Sequence, residues 1–207
     1  MHIGIDCRLP TYRMGGISQY TIHLVAALAE LETGDEYTVF HSRREKRDFR
    51  SSAGDIFSRS NLWTPCHHRL ERYALGWEVA RHRLDVLHSP DFIPPSFGAR
   101  RRVITVHDLN FIHYPEFLTS ESHRYYTNQI EWAVAAADHI IADSAATRLD
   151  LIDLLGVSPT KITTIHLAAS PVYSAAFSPE EIRATAQAFR TGEGFILGVG
   201  TLEPRKN

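Results

Sequence analysis

Residues 138–168 read DHIIADSAATRLDLIDLLGVSPTKITTIHLA. Asp138 to Ser144 is a short, β-branched apolar run, the pattern of a buried strand. Ser144 is placed to cap a helix that starts at Ala145 and stops at Gly156, as helices often do at glycine. Lys161 to Ala168 reads as a second strand. Strand, helix and strand in so short a span predict one unit of a parallel sheet.

The same alternation continues upstream. HIGID (2–6) reads as a first strand. GISQYTIHLVAALAEL (16–31) reads as a helix, with Ile17, Tyr20, Leu24, Leu28 and Leu31 three or four residues apart. YTVFH (37–41) is a second strand, 43–60 a polar surface excursion, and NLWTP (61–65) a short strand stopped by Pro65. A helix follows over 69–84. DVLHS (85–89) and RRVITVHD (101–108) are strands on either side of a Pro-rich turn, and 121–137 is a long helix. The expected fold class is therefore α/β: a Rossmann-like parallel sheet with helices on both faces.

Past residue 172 the texture changes. Residues 173–193 read as a linker and a surface helix. FILGVG (195–200) is an apolar run between glycines, expected to be the first strand of a second domain, with TLEPRKN (201–207) as its loop. The expected organisation is one α/β domain over 1–172, the linker over 173–193, and the opening of another domain over 194–207.

Composition excludes several classes. The chain has 207 residues, 43 % apolar and 22 % charged, with a net charge of −2. That balance gives no global attraction to nucleic acid. Two cysteines, Cys7 and Cys66, lie far apart without metal-ligand spacing, which points to a reducing compartment and no disulfide framework. Met1-His2 runs straight into the first strand, so no signal peptide is read, and no apolar run reaches the ~20 residues of a membrane span. The expected location is cytoplasmic. A basic, aromatic segment, Arg69 to Leu84 with Tyr73 and Trp77, leaves peripheral contact with an anionic membrane open against an ordinary sheet-covering helix. The twelve histidines are scattered, His67-His68 being the one adjacent pair, and no zinc spacing is present.

In an open parallel sheet, ligands bind beyond the carboxyl ends of the strands. Gly15-Gly16 stands there, just before the first helix, where backbone N–H groups and the positive helix end suit a phosphate or carboxylate. The dinucleotide fingerprint and the Walker sequence are absent, which argues against nicotinamide and P-loop enzymes. His107-Asp108 follows the VITV strand, and a histidine at the mouth of a sheet can bond a substrate hydroxyl or move a proton. Ser144, His88 and Ser89 are further cleft candidates. Asp91 reads as a turn former. No metal is expected, although a His107, Asp108 and His113 hydrolase site stays open.

The ordered set MHIGIDCR…GGISQY, DVLHSPDFIPP, VITVHDLNFIHYPEF, AADHIIADSAATRLDLIDLLGV…KITTIHLA and ILGVGTLEPRKN resembles the family-4 nucleotide-sugar glycosyltransferases, whose two-domain fold is called GT-B. The resemblance spans nearly the whole chain. It implies an acceptor-side domain first and a donor-binding domain cut just inside its start. It implies transfer of a sugar from a nucleoside diphosphate sugar to a hydroxyl with retained configuration, usually without metal, in polysaccharide or glycoconjugate assembly. Arg205 and Lys206 would clamp the donor diphosphate with Gly15 and Gly16. His107 would contact the transferred sugar, with Asp108 beside it. No cofactor is implied beyond the nucleotide sugar as substrate, with GDP-mannose favoured. The acceptor would be a saccharide or lipid-linked saccharide, and oligomeric state stays open. Residues 1–207 are expected to be inactive alone. Two alternatives remain: a nucleotide-sugar 2-epimerase of the same architecture, and a non-catalytic sugar- or nucleotide-binding domain.

Overall fold

The computed structural model describes residues 1–31, 33–50, 56–191 and 194–200. Seven parallel strands form one sheet: β1 (His2–Asp6), β2 (Glu36–Ser42), β3 (Phe57–Leu62), β4 (Leu84–Ser89), β5 (Ala99–Val106), β6 (His139–Ala142) and β7 (Ile162–Thr164). Their order is β3-β2-β1-β4-β5-β6-β7. The helices are α1 (Gly16–Ala29), α2 (Glu71–Ala80), α3 (Asn110–His113), α4 (Ser120–Ala136), α5 (Ala145–Asp153) and α6 (Pro179–Phe189).

Successive residues of a strand face opposite sides of the sheet, and this sorts the helices. Ile5 and Val39 pack with Val25 of α1. Their neighbour Phe40 packs with Leu75 and Val79 of α2, together with Leu84 and Leu87. So α1 and α2 cover opposite faces. The other end of the sheet has its own core, where Ile104 and Ile140 meet Ile130 of α4 and Leu151 of α5. Gly4 is required by this packing: a Cβ there would lie 2.6 Å from Leu84 Cδ1 and 2.7 Å from Phe40 Cε2.

The structure corrects the expected third strand. It is Phe57–Leu62, which starts inside the stretch 43–60 read as an excursion and overlaps the expected 61–65 only at Asn61 and Leu62, and it pairs with β2 from Tyr37↔Phe57 to Ser42↔Leu62. It lies at the sheet edge, only Phe57 and Leu62 are buried, and its middle is polar, so it has no apolar alternation to read.

The chain divides into two compact units, 1–167 and 168–207. Within the second, α6 carries a capping box. Ser178 Oγ accepts from the Glu181 N–H at 3.2 Å, and Glu181 Oε2 accepts from the Ser178 N–H at 2.8 Å. The expected strand at 195–199 does not form: these residues lie in no helix or strand and are exposed. Apolar, β-branched composition does not make a strand without a neighbouring backbone to pair with. Residues 201–207 lie outside the described residues.

At the carboxyl end of β1 a buried arginine joins three segments. Arg8 is 1 % exposed. Its Nη2 donates to Asp6 Oδ2 and to Glu71 Oε1, each at 2.7 Å, and its Nη1 donates to the Thr64 carbonyl at 2.8 Å. Removing one member of a buried charge network strands the others. Arg8→Ala is expected to destabilise the fold by about 3–5 kcal/mol. Glu71→Gln should cost less, because Arg8 keeps Asp6. Denaturant unfolding of the two variants checks both the size and the order.

Candidate functional site

β1 lies between β2 and β4, and the chain leaves it in one direction toward β3 before crossing to β4. Such a reversal opens a crevice beyond the carboxyl ends of the two central strands. The polar residues cluster at that end. His88, next to last in β4, is buried; its Nε2 is 2.8 Å from Thr105 Oγ1 of β5. Thr105 Oγ1 also meets the Tyr20 hydroxyl of α1 at 3.2 Å. The Tyr20 ring stands edge-on to His107, with centroids 4.9 Å apart.

His107 follows β5 directly. Its Nδ1 lies 3.1 Å from Asp143 Oδ2, at the end of β6, and its Nε2 lies 3.1 Å from the Pro90 carbonyl, at the exit of β4. Both partners are acceptors, and between them they engage both edges of the ring. Thr147 Oγ1 donates to the His107 carbonyl at 2.9 Å, and Ser144 Oγ accepts from the Thr147 N–H at 3.0 Å. The exit of β4, the ends of β5 and β6 and the start of α5 are thus tied through one histidine.

Several sequence expectations can now be placed. Gly15 is the N-cap of α1, with extended backbone (φ −158°, ψ −169°) and no side chain capping it. A Cβ on Gly15 or Gly16 would meet nothing within 4 Å, so packing within the chain does not demand glycine there. The helix end is left open to a ligand. Ser144 is the N-cap of α5. Ser89 is buried, and its hydroxyl has no hydrogen-bond partner among the described residues. Asp108 is exposed and does not serve His107; its Oδ1 accepts from the Asn110 N–H at 3.0 Å at the start of α3. His113 pairs with Asp150 at 2.8 Å. Among the described residues no group of three or more His, Cys, Asp or Glu is placed to hold a metal ion. Arg205 and Lys206 lie outside the described residues.

The sequence reading missed Asp143, Tyr20 and Thr105. Asp143 had a signal, an acid directly after a strand. Tyr20 and Thr105 had none, because each was already accounted for by helix or strand periodicity.

The family model for Glycosyltransferase Family 4 matches residues 14–170. This chain belongs to that family. It is 27 % identical over 214 aligned positions to O-antigen chain mannosyltransferase B of Escherichia coli, covering 95 % of this family-4 chain and 55 % of that protein. Its fold matches the Anabaena HepE protein crystallised with UDP-glucose (TM-score 0.62, 17 % identity, 94 % of this chain and 51 % of that one). It also matches a Rickettsia africae glycosyltransferase (TM-score 0.55, 11 % identity, 93 % and 50 %). The chain spans about half the length of the relatives it matches.

Two buried histidines make the stability of this family-4 chain depend on pH. Burial, reinforced by nearby His107, lowers His88 to about 4. Burial, reinforced by Arg59, lowers His41 to about 4. His41 is locked as the neutral ring: its Nδ1 is 3.2 Å from the Val39 carbonyl, and its Nε2 accepts from the Phe49 N–H at 3.3 Å. The unfolded chain takes up these protons near pH 6.5, the folded chain only near 4. Their stabilisation is therefore complete above about pH 6.5 and is lost as the pH falls toward 4. Each contributes a slope of up to about 1.4 kcal/mol per pH unit in that window. Melting temperature measured across the window should fall, and His88→Gln should flatten the slope.

Proposed function

We propose that the protein transfers a sugar from a nucleoside diphosphate sugar to a hydroxyl of a saccharide acceptor, with retained anomeric configuration and no metal. The observation that carries this reading is the uncapped, glycine-opened start of α1, at the strand-end crevice of a family-4 domain. The leaving group of such a transfer is a diphosphate. N–H groups and the positive helix end aimed at it stabilise the charge that develops as the glycosidic bond breaks. Arg205 and Lys206 are proposed to complete the diphosphate clamp. His107, engaged at both ring edges, is proposed to orient the transferred sugar. The name of the Escherichia coli relative makes GDP-mannose the first donor to test, and the HepE complexes make UDP-glucose the second.

Nucleoside diphosphate release and glycoside formation, measured across a donor panel with simple sugar acceptors, test this reading. We expect residues 1–207 alone to bind donor weakly without turnover, and any longer natural form to turn over one donor. A new glycoside excludes the epimerase alternative; an epimerised donor with no glycoside establishes it.

The same reading includes peripheral contact with an anionic membrane, where a lipid-linked acceptor would reside. Among the described residues no helix is long and apolar enough to cross a membrane. Helix α2, however, turns an aromatic stripe outward. Trp77 is 75 % exposed, Leu70 60 % and Tyr73 53 %, and Trp63 beside the helix is 70 % exposed. The Trp63 N–H donates to Glu78 Oε2 at 2.6 Å, which fixes this residue against α2. The Arg43 guanidinium lies 4.0 Å over the Trp63 ring, and Arg69 and Arg81 are exposed alongside. Aromatic rings flanked by arginines suit an anionic bilayer surface. Co-sedimentation with vesicles of equimolar phosphatidylglycerol and phosphatidylcholine should retain the chain. Pure phosphatidylcholine should retain much less, and Trp63→Ser with Trp77→Ser should lower retention several-fold.

A further inference from the structure

His67 is strained and held in place, and the transfer chemistry described above does not use it. Its φ of 58° lies in the left-handed region, which costs a histidine and persists only where the surroundings fix it. Its N–H donates to Glu71 Oε2 at 2.6 Å, and its Nε2 lies 2.6 Å from Asp91 Oδ2, just past β4. The Asp91 hydrogen bond raises the His67 pKa against the cost of burial. Both side chains keep access to solvent, at 35 % and 18 % exposure.

Two tyrosines of α4 stand against this pair. The rings of Tyr125 and Tyr126 lie 6.5 and 6.2 Å from the His67 ring. The Tyr125 hydroxyl is buried and has no hydrogen-bond partner among the described residues. A buried hydroxyl without a partner calls for an explanation. Tyr125 also lines a cleft of about 510 Å³, with Arg69, Ser120, Glu121, Arg124 and Asn128. Two arginines against one carboxylate give the cleft a cationic character. A histidine-paired carboxylate, an aromatic ring and an unpartnered hydroxyl are groups that hold sugar hydroxyls and the apolar face of a sugar ring. A pair of guanidinium groups suits a phosphate.

We propose that His67, Asp91 and Tyr125 form the acceptor subsite, and that its ligand is a phosphorylated saccharide whose phosphate lies against Arg69 and Arg124. Asp91 and His67 take the hydroxyls nearest the sheet mouth, and Tyr125 supplies the ring face and one hydrogen bond. The proposal rests on the glycosyl-transfer reading and names the chemical class of its acceptor.

Ligand titration by NMR on this chain tests it, with α-mannose 1-phosphate, methyl α-mannoside and inorganic phosphate as probes. The sugar phosphate should bind tightest. Arg124→Gln should weaken it about tenfold while leaving methyl α-mannoside unchanged. Asp91→Asn should weaken both sugars about tenfold, and Tyr125→Phe, which keeps the ring, about threefold. GDP binding should be unchanged in all three variants. The proposal is overturned if neither sugar binds, if the variants stay within about twofold of the parent, or if inorganic phosphate binds as tightly as the sugar phosphate. Glycoside formation with unaltered sugar affinity in the variants would sink the subsite and leave the transferase reading standing. Loss of sugar affinity in the variants, in a protein that turns over no nucleotide sugar, would do the reverse.

Discussion

The Arg8 guanidinium fixes the geometry on which the working face depends. It lies where β1 ends, in the segment CRLP that reads as an ordinary loop. By donating to Asp6, Glu71 and the Thr64 carbonyl it binds the central strand to the loop before α2 and to the first turn of that helix. Glu71 is thereby committed, and its second oxygen holds the His67 N–H. Through one buried cation the end of β1 determines where α2 starts and where the strained His67 ring points. A buried ion network of this kind adds little net stability over an apolar packing of equal volume, but it admits few alternative arrangements.

At the other side of the crevice, order comes from hydrogen bonds among short polar side chains. Thr105 joins His88 of β4 to Tyr20 of α1, and His107 joins Asp143 to the exit of β4. The two histidines divide the work by burial. Burial outweighs the nearby Asp6 and keeps His88 neutral, whereas His107 is less buried and has both ring edges engaged by acceptors. The open end of α1 lies at this same end of the sheet. A preset array of donors beside an uncapped helix end suits a reaction in which negative charge builds on a departing diphosphate.

Much of this was legible in the sequence. β-branched runs alternating with 3.6-residue periodicity gave the parallel sheet, and glycine and serine marked the helix ends at Gly15, Ser144 and Gly156. Periodicity records burial, so it fails where burial is one-sided or absent. That is why β3 was hidden in a polar edge segment, and why the apolar run at 195–199 was read as a strand although nothing among the described residues pairs with it. Tyr73 and Trp77 were visible beside the arginines of this segment, but a pattern cannot say which stripe of a helix meets the sheet. The partners of Arg8 and the His67–Asp91 pair could not be read at all. Apart from Asp6, two residues from Arg8, the members lie far apart in sequence, and each has a plausible local role, with Asp91 reading as a turn former.

The central claim is that the diphosphate of a nucleotide sugar rests at the glycine-opened start of α1, between the ends of β1 and β5. Hydrogen–deuterium exchange of the chain with and without GDP-mannose and UDP-glucose tests it most directly, because it needs binding and not turnover. The account predicts protection over residues 15–20 and around His107 with one of the two donors. Protection confined to other segments, or none with either donor at saturating concentration, would contradict it.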